Sequence, residues 1–482
     1  MIAGVFYDVS YDGRTYHQAQ IMLLSQGWNP VYTTLGEFVN KNYTTQLYHL
    51  PWIDGYTKFV EIVQSNILVL FKDIEISKMT CILSEIILFL YAFCIFSKKS
   101  FSKLNLFSTS ILSLILTLNP IFIAQAFTFY VDTYTYVFFM LILLGIIDIE
   151  TKAENENITF AIIIMSAVCF LNIKFWAYIY FCTTGLIYLL YLIVNKQTDK
   201  IIKIIKSSFI ILILVMISGI SPYYTNLKQG RNILYPVLGC KEAINVMDIN
   251  IPKSFEGKNY LSQFFLSTFS RVDNFRKFDN KTHQLKAPFE VNSNELKYLS
   301  GYDTRICGFG VFWSGILLLA CILALFIKYK EKRLYLLIFM VLLSNLLFQP
   351  FNWWARFIPQ LWAFPVFVAL YFFSESDISE VKRLTAALMV LVMFLNIAIQ
   401  SYFVFQNKRY YKDGVNYIIS SLAKQNKTIQ IYTIFDWSII EKLKENGIKT
   451  EFVSDEYYNN HKQEFNLVIP QLEGNMYWKL KE

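Results

Sequence analysis

Ten stretches of this 482-residue chain are almost wholly apolar, at about 78–97, 104–124, 131–149, 158–172, 174–194, 204–219, 306–327, 333–348, 356–373 and 382–405. Runs of about 15–25 residues match a bilayer hydrocarbon core roughly 30 Å thick. The stretch from Ile158 to Val194 is too long for one span, so it is divided at Asn172 and Lys174, the strongly polar residues near its centre. Only 17% of the residues are charged and 55% are hydrophobic, where a soluble domain carries roughly 25% charge. These proportions exclude an ordinary soluble enzyme, and the 43 Phe and 32 Tyr exclude a disordered chain. The expected fold class is an all-α polytopic membrane protein of about ten transmembrane helices.

The net charge of +8 does not point to nucleic acid, because the basic residues sit in short gaps between the apolar runs. One set of alternate connections holds fourteen of them: Lys98, Lys99, Lys103, Lys152, Lys196, Lys200, Lys203, Lys206, Lys328, Lys330, Lys332, Arg333, Lys382 and Arg383. The other set holds two, Lys174 and Arg356. By the positive-inside rule the first set faces the cytoplasm. The N-terminal 77 residues, the Asp132 turn, the loop at about 220–305 and the tail from 406 then face outward. The expected location is the inner (cytoplasmic) membrane, multi-pass, with the exoplasmic (periplasmic) face carrying the polar loops. Residues 1–77 are too polar to cross a bilayer unaided, so a further transmembrane helix is expected upstream of Met1.

Three regions follow: an exoplasmic first loop with amphipathic helices at 1–77, a transmembrane domain at 78–405, and a small exoplasmic α/β domain at 406–482. In the last, Thr428–Thr433, Ile448–Val453 and Phe465–Ile469 read as strands, and Trp437–Glu445 as a helix ended by Gly447. The seven Cys show no zinc-type spacing. Cys240 and Cys307 lie outside the apolar runs and could pair in an oxidising compartment.

Four polar constellations share the outward side. They are Tyr11-Asp12-Gly13-Arg14-Thr15-Tyr16-His17-Gln18, then Phe129-Tyr130-Val131-Asp132-Thr133, then Ser221-Pro222-Tyr223-Tyr224-Thr225-Asn226 continuing to Gly230-Arg231-Asn232, and Trp353-Trp354-Ala355-Arg356-Phe357-Ile358-Pro359-Gln360. Each has a structural alternative. Asp132 opens a helix and can serve as its cap, Arg356 beside two Trp can anchor an aromatic belt, and Lys174 can mark a turn. Glu85, inside the first span, needs a partner to offset its burial.

The order YDGRTYHQ, GWNP, NPIFIAQAFTFYVD, NIKFW, SPYYTNLKQGRNILYPVLG and WWARFIPQLW resembles bacterial integral-membrane glycosyltransferases of the GT-C fold, relatives of protein O-mannosyltransferases and lipid A aminoarabinose transferases. The resemblance covers about residues 5–370. It implies transfer of a sugar from a polyprenyl-phosphate donor to a cell-envelope acceptor (lipid, glycan or protein) at the exoplasmic face of the lipid bilayer, with inversion. The family's first motif is an acidic pair. Here Gly13 follows Asp12, and Asp8 is a second candidate.

The residue types suit that chemistry. A carboxylate takes the acceptor proton as general base, while a phosphate leaves as a stable anion needing only cationic support, which arginine supplies bidentately. Asp12 and Asp132 are the expected catalytic acids, Arg356 and Lys174 the donor-phosphate ligands, and His17, Tyr224, Asn226 and Arg231 further substrate-binding residues. No resident metal ligand is assigned, although a divalent metal is compatible with such sites. Two other readings use the same features. A surface-polysaccharide polymerase or ligase would lean on Arg231, Arg271, Arg276 and Arg305 of the large loop. A lipid or solute transporter would place charges near the bilayer midplane.

Overall fold

The computed structural model describes residues 2–42, 50–101, 104–241, 250–275, 283–329, 332–425, 427–433, 437–467 and 476–481. Each of the ten apolar runs contains a helix: Met79–Phe96, Leu106–Thr117, Asp132–Glu150, Glu156–Leu171, Ala177–Val194, Thr198–Ser218, Trp313–Ala324, Arg333–Leu347, Ala363–Ser374 and Glu380–Ala423. Among the described residues five helical segments are long and apolar enough to cross a membrane, and several others are shorter. The second run is broken rather than continuous. Asn119 leaves helical geometry, its carboxamide oxygen accepts the Ile121 N–H, and Pro120 starts a new helix, Pro120–Gln125. Proline has no N–H to continue the preceding turn, and the first position of a helix is where that loss matters least. The seventh run begins its helix late, because residues 306–312 form an irregular turn through Gly308 and Gly310.

Asp132–Glu150 is the central helix, buried along most of its length against Glu156–Leu171 and Met79–Phe96. Its two ends define the two ends of the bundle. At the C-terminal end Asp148 pairs with Lys98, and Glu150 with Lys200 at 2.9 Å, while nearby connections add Lys332 to Glu375 at 2.7 Å and Arg333 to Asn195 at 2.6 Å. The lysine-rich connections therefore gather at one end. Asp132 lies about 27 Å away at the other, by the 1.5 Å rise per residue.

The N-terminal segment covers the Asp132 end. A π-helical turn, Gly13–His17, leads into the helix Gln18–Ser25. A second helix, Phe59–Phe71, buries Glu61 and Gln64 and exposes Ile62, Val63, Val69, Leu70 and Phe71. Polar side inward and apolar side outward is the pattern of a helix lying against lipid rather than water.

The helix Glu380–Ala423 runs unbroken past residue 405 and carries the C-terminal unit. There the strands β1 (Ile429–Thr433), β2 (Thr450–Phe452), β3 (Asn466–Leu467) and β4 (Met476–Leu480) form one sheet in the order β2-β1-β4-β3. β1 is parallel to β2, with Ile429 opposite Thr450, and antiparallel to β4, with Ile431 opposite Trp478. The helix Trp437–Glu445 ends at Gly447, whose φ is 72°. The sequence strand at 465–469 extends beyond the described residues, and β4 was not anticipated. Val415, Ile419, Ile429, Ile431 and Ile439 close a core with Val9, and Tyr7 donates to Asn416 at 2.9 Å, so this unit packs directly on the N-terminal segment. Cys240 and Cys307 are free thiols. The Cys307 thiol contacts the Gly310 carbonyl at 3.3 Å.

Candidate functional site

Three connections meet at the Asp132 end of the bundle, and each delivers a charged side chain. The turn Ala355–Phe357 presents Arg356, the π-helical N-terminal turn presents Asp12, and the first residue of the central helix is Asp132. Arg356 Nη1 donates to Asp12 Oδ2 at 2.8 Å and lies 3.9 Å from Asp132 Oδ2. The two carboxylates are therefore within about 7 Å of each other. Lys174, from the bend between two transmembrane helices, donates to Asp132 Oδ1. Gln125 Nε2 reaches Asp132 Oδ2 at 3.1 Å. All four residues that the sequence placed in catalysis and phosphate binding come together.

A fifth residue was missed. Asp303 Oδ1 lies 3.4 Å from Arg356 Nη1 and accepts the Tyr130 phenol at 2.9 Å, and its backbone carbonyl accepts Trp354 Nε1 at 2.6 Å. The signal in the sequence was a lone aspartate in Gly-Tyr-Asp-Thr-Arg, at the end of the large loop and in the same set of connections as Asp132 and Arg356. The guanidinium is thus ringed by three carboxylates and packed over Trp354, Tyr130 and Phe357 at 4.5, 5.0 and 5.5 Å. Burial works against its charge, but Asp12, Asp303 and Asp132 outweigh burial and hold it charged above its ordinary range. Its Nε is buried with no hydrogen-bond partner among the described residues. The other face of the site is aromatic. Tyr16 sits 6.3 Å from Trp52 and 6.5 Å from Tyr56, and burial followed by the Asp12 charge raises the Tyr16 phenol pKa.

The two catalytic candidates differ in accessibility. Asp132 is 1% exposed and tied to Lys174 and Gln125, whereas the Asp12 side chain is 16% exposed. Asp12 is held in place from beneath. Asp8 is buried, accepting the Ser10 and Phe129 N–H groups at 2.8 Å each, which joins the N-terminal turn to the loop before Asp132. A Cβ on Gly13 would come within 1.9 Å of Asp8 Oδ2, which is why glycine follows Asp12. Asp8 is a brace with both oxygens occupied.

The remaining candidates make their contacts with other partners. His17 is buried, and its Nδ1 shares a 2.6 Å hydrogen bond with Glu61. Asn226 is buried and donates to the Tyr235 carbonyl at 3.1 Å, holding the loop it starts. Arg231 pairs with Asp54 at 2.6 Å and stacks on Tyr235 at 4.7 Å, while Tyr224 is 53% exposed. The loop arginines are engaged as well. Arg271 lies 3.5 Å from Glu290, and Arg305 covers the Trp354 ring at 4.9 Å, while Arg276 lies outside the described residues. Glu85 is buried with neither carboxyl oxygen hydrogen-bonded among the described residues. No group of three His, Cys, Asp or Glu among the described residues is arranged to hold a metal ion; where the three acids of the site converge, the guanidinium stands.

No protein-family model matches the sequence, and no curated protein matches it. Among solved structures the chain is similar to ArnT from Cupriavidus metallidurans bound to undecaprenyl phosphate. The identity is 10% and the TM-score 0.45, over 99% of this chain and 95% of the other.

Proposed function

We propose that this chain transfers a sugar from a polyprenyl-phosphate donor to a hydroxyl or amine of a cell-envelope acceptor, at the exoplasmic end of the bundle and with inversion at the anomeric carbon. The observation that carries the reading is the convergence of Asp12 and Asp132 on the Arg356 guanidinium, with Lys174 beside them.

In this reading Asp12, the accessible acid, takes the acceptor proton as its oxygen attacks the anomeric carbon. Asp132, held by Lys174 and Gln125, orients the acceptor through its remaining lone pairs. Arg356 turns its unpaired Nε toward the donor phosphate, and Lys174 adds a second positive charge, so the departing phosphate leaves as an anion already compensated. The aromatic wall of Tyr16, Tyr56 and Trp52 supplies apolar faces for the sugar ring. The Arg356 guanidinium against Asp12 favours the ionised form that a base needs.

Membranes containing the full chain, given labelled polyprenyl-phosphate sugars, test this directly. Transfer of label to an envelope component that is lost in Asp12→Asn supports the reading. Undiminished transfer in both Asp12→Asn and Asp132→Asn overturns it.

A further inference from the structure

The end of the bundle opposite the acidic site carries a groove that the transfer chemistry does not use. It holds about 1030 Å³, at the upper end of the usual ligand-pocket range. One wall is Phe107, Ile111 and Leu114 on the helix Leu106–Thr117, and the other is Leu384, Val390, Leu391 and Phe394 on the helix Glu380–Ala423. Its polar groups are confined to its mouth, where Ser108, Glu380 and Arg383 line it.

Three features of the groove fix the chemistry of an occupant. The first is length. From Arg383 to Phe394 the wall extends about 16 Å at 1.5 Å per residue, roughly half a 30 Å hydrocarbon core. That is the depth of one leaflet, so the apolar part accepts acyl chains that end near the bilayer midplane. The second is charge. Glu380 and Arg383 do not pair with each other. Among the described residues the Arg383 guanidinium donates to the Glu375 carbonyl at 3.0 Å, and Glu380 makes no ion pair. The third is order. Glu380 begins the helix, so it is the outermost group, and Arg383 lies one turn, about 4.5 Å, deeper, directly above the apolar wall. A phospholipid with an ammonium head group has the same order: ammonium outermost, phosphate beneath it, acyl chains below.

We propose that this groove binds one zwitterionic, amine-headed phospholipid from the leaflet at the lysine-rich end, with Arg383 on the phosphate, Glu380 on the ammonium and the two helices enclosing an acyl chain. The site is distinct in place and in ligand from the acidic site about a bilayer thickness away, and it stands whether or not that site transfers sugars.

The test uses the purified full-length chain in detergent, exchanged against dioleoyl phosphatidylethanolamine or dioleoyl phosphatidylglycerol, with retained lipid read by native mass spectrometry. The wild type should retain one phosphatidylethanolamine in preference to phosphatidylglycerol. Glu380→Gln should abolish that preference while leaving total lipid retention, and Arg383→Gln should weaken retention of both about tenfold, the value of one charge-assisted hydrogen bond. Ala387→Trp, which fills the groove from a wall position, should displace the lipid, and an unchanged elution volume and melting temperature show that each variant is folded. Equal retention of the two lipids by the wild type overturns the proposal. So does displacement of phosphatidylethanolamine by undecaprenyl phosphate at equimolar concentration, because the groove is then a site for the donor's tail.

Discussion

Removing the charge of Asp303 should tighten, not loosen, the binding of a polyprenyl phosphate. In Asp303→Asn the amide oxygen still accepts the Tyr130 phenol and the backbone carbonyl still accepts Trp354, so the loop keeps its anchors. Only the charge goes. Asp303 Oδ1 stands 3.4 Å from Arg356 Nη1, and a phosphate oxygen bonded to that guanidinium sits about 2.9 Å beyond it. With that bond made through Nε, across the guanidinium from Nη1, the phosphate and the aspartate are at most about 9 Å apart. Two unit charges at that distance repel by roughly 2 kcal/mol at an effective dielectric near 20. Solvent at the mouth and relaxation of the guanidinium reduce this to about 1 kcal/mol, a factor of about 5 in affinity. Titrating the purified full-length chain with a short-chain polyprenyl phosphate by calorimetry measures it, with Arg356→Lys as the opposite control. Replacing the planar fork by a point charge should weaken the same affinity by about 10–100-fold. If Asp303→Asn binds the phosphate more weakly than the wild type, Asp303 acts by holding Arg356 in place and the competition argument is wrong. If neither substitution changes affinity, Arg356 does not bind the phosphate.

Asp12→Asn should lower turnover by about 10²–10⁴-fold with donor affinity little changed, as steady-state and binding measurements on one preparation will show. Asp132→Asn should also lose activity and, by leaving buried Lys174 without its anion, should lower the melting temperature, whereas Asp12→Asn should not. Gly13→Ala forces a methyl group to within 1.9 Å of the Asp8 carboxylate, so the turn carrying Asp12 must shift. The expected cost is about 1–3 kcal/mol in stability together with most of the activity, read by thermal unfolding and transfer assay. Glu61→Leu strips buried His17 of its partner and should destabilise the fold by about 1–3 kcal/mol. A cysteine at exposed Tyr224 should be labelled by an impermeant maleimide from outside the inner membrane. One at Arg333 should be labelled only after permeabilisation, and the reverse pattern would place the acidic site in the cytoplasm.

Much of the architecture is written locally. Each of the ten apolar runs carries a helix because the apolarity of a segment is a property of that segment alone, and no distant residue is needed to establish it. Breaks are legible for the same reason: Asn119-Pro120 interrupts a helix and Gly447 ends one through chemistry confined to a few neighbouring residues. The side of the bundle that carries the acids was also legible, since lysines in alternate connections mark one end and leave the other to Asp12, Asp132, Lys174 and Arg356. What the sequence did not contain was the pairing. Tyr130 and Asp303 are 173 residues apart, Asn226 and Gly55 are 171, and Asp8 and Phe129 are 121. A carboxylate's charge is visible in the sequence, but whether it braces a loop like Asp8, pins a lysine like Asp132 or stands accessible like Asp12 depends on which donors helix packing brings within about 3 Å. That distance is set by how the helices cross and where their connecting loops fold back over the bundle end, so only the tertiary structure decided it.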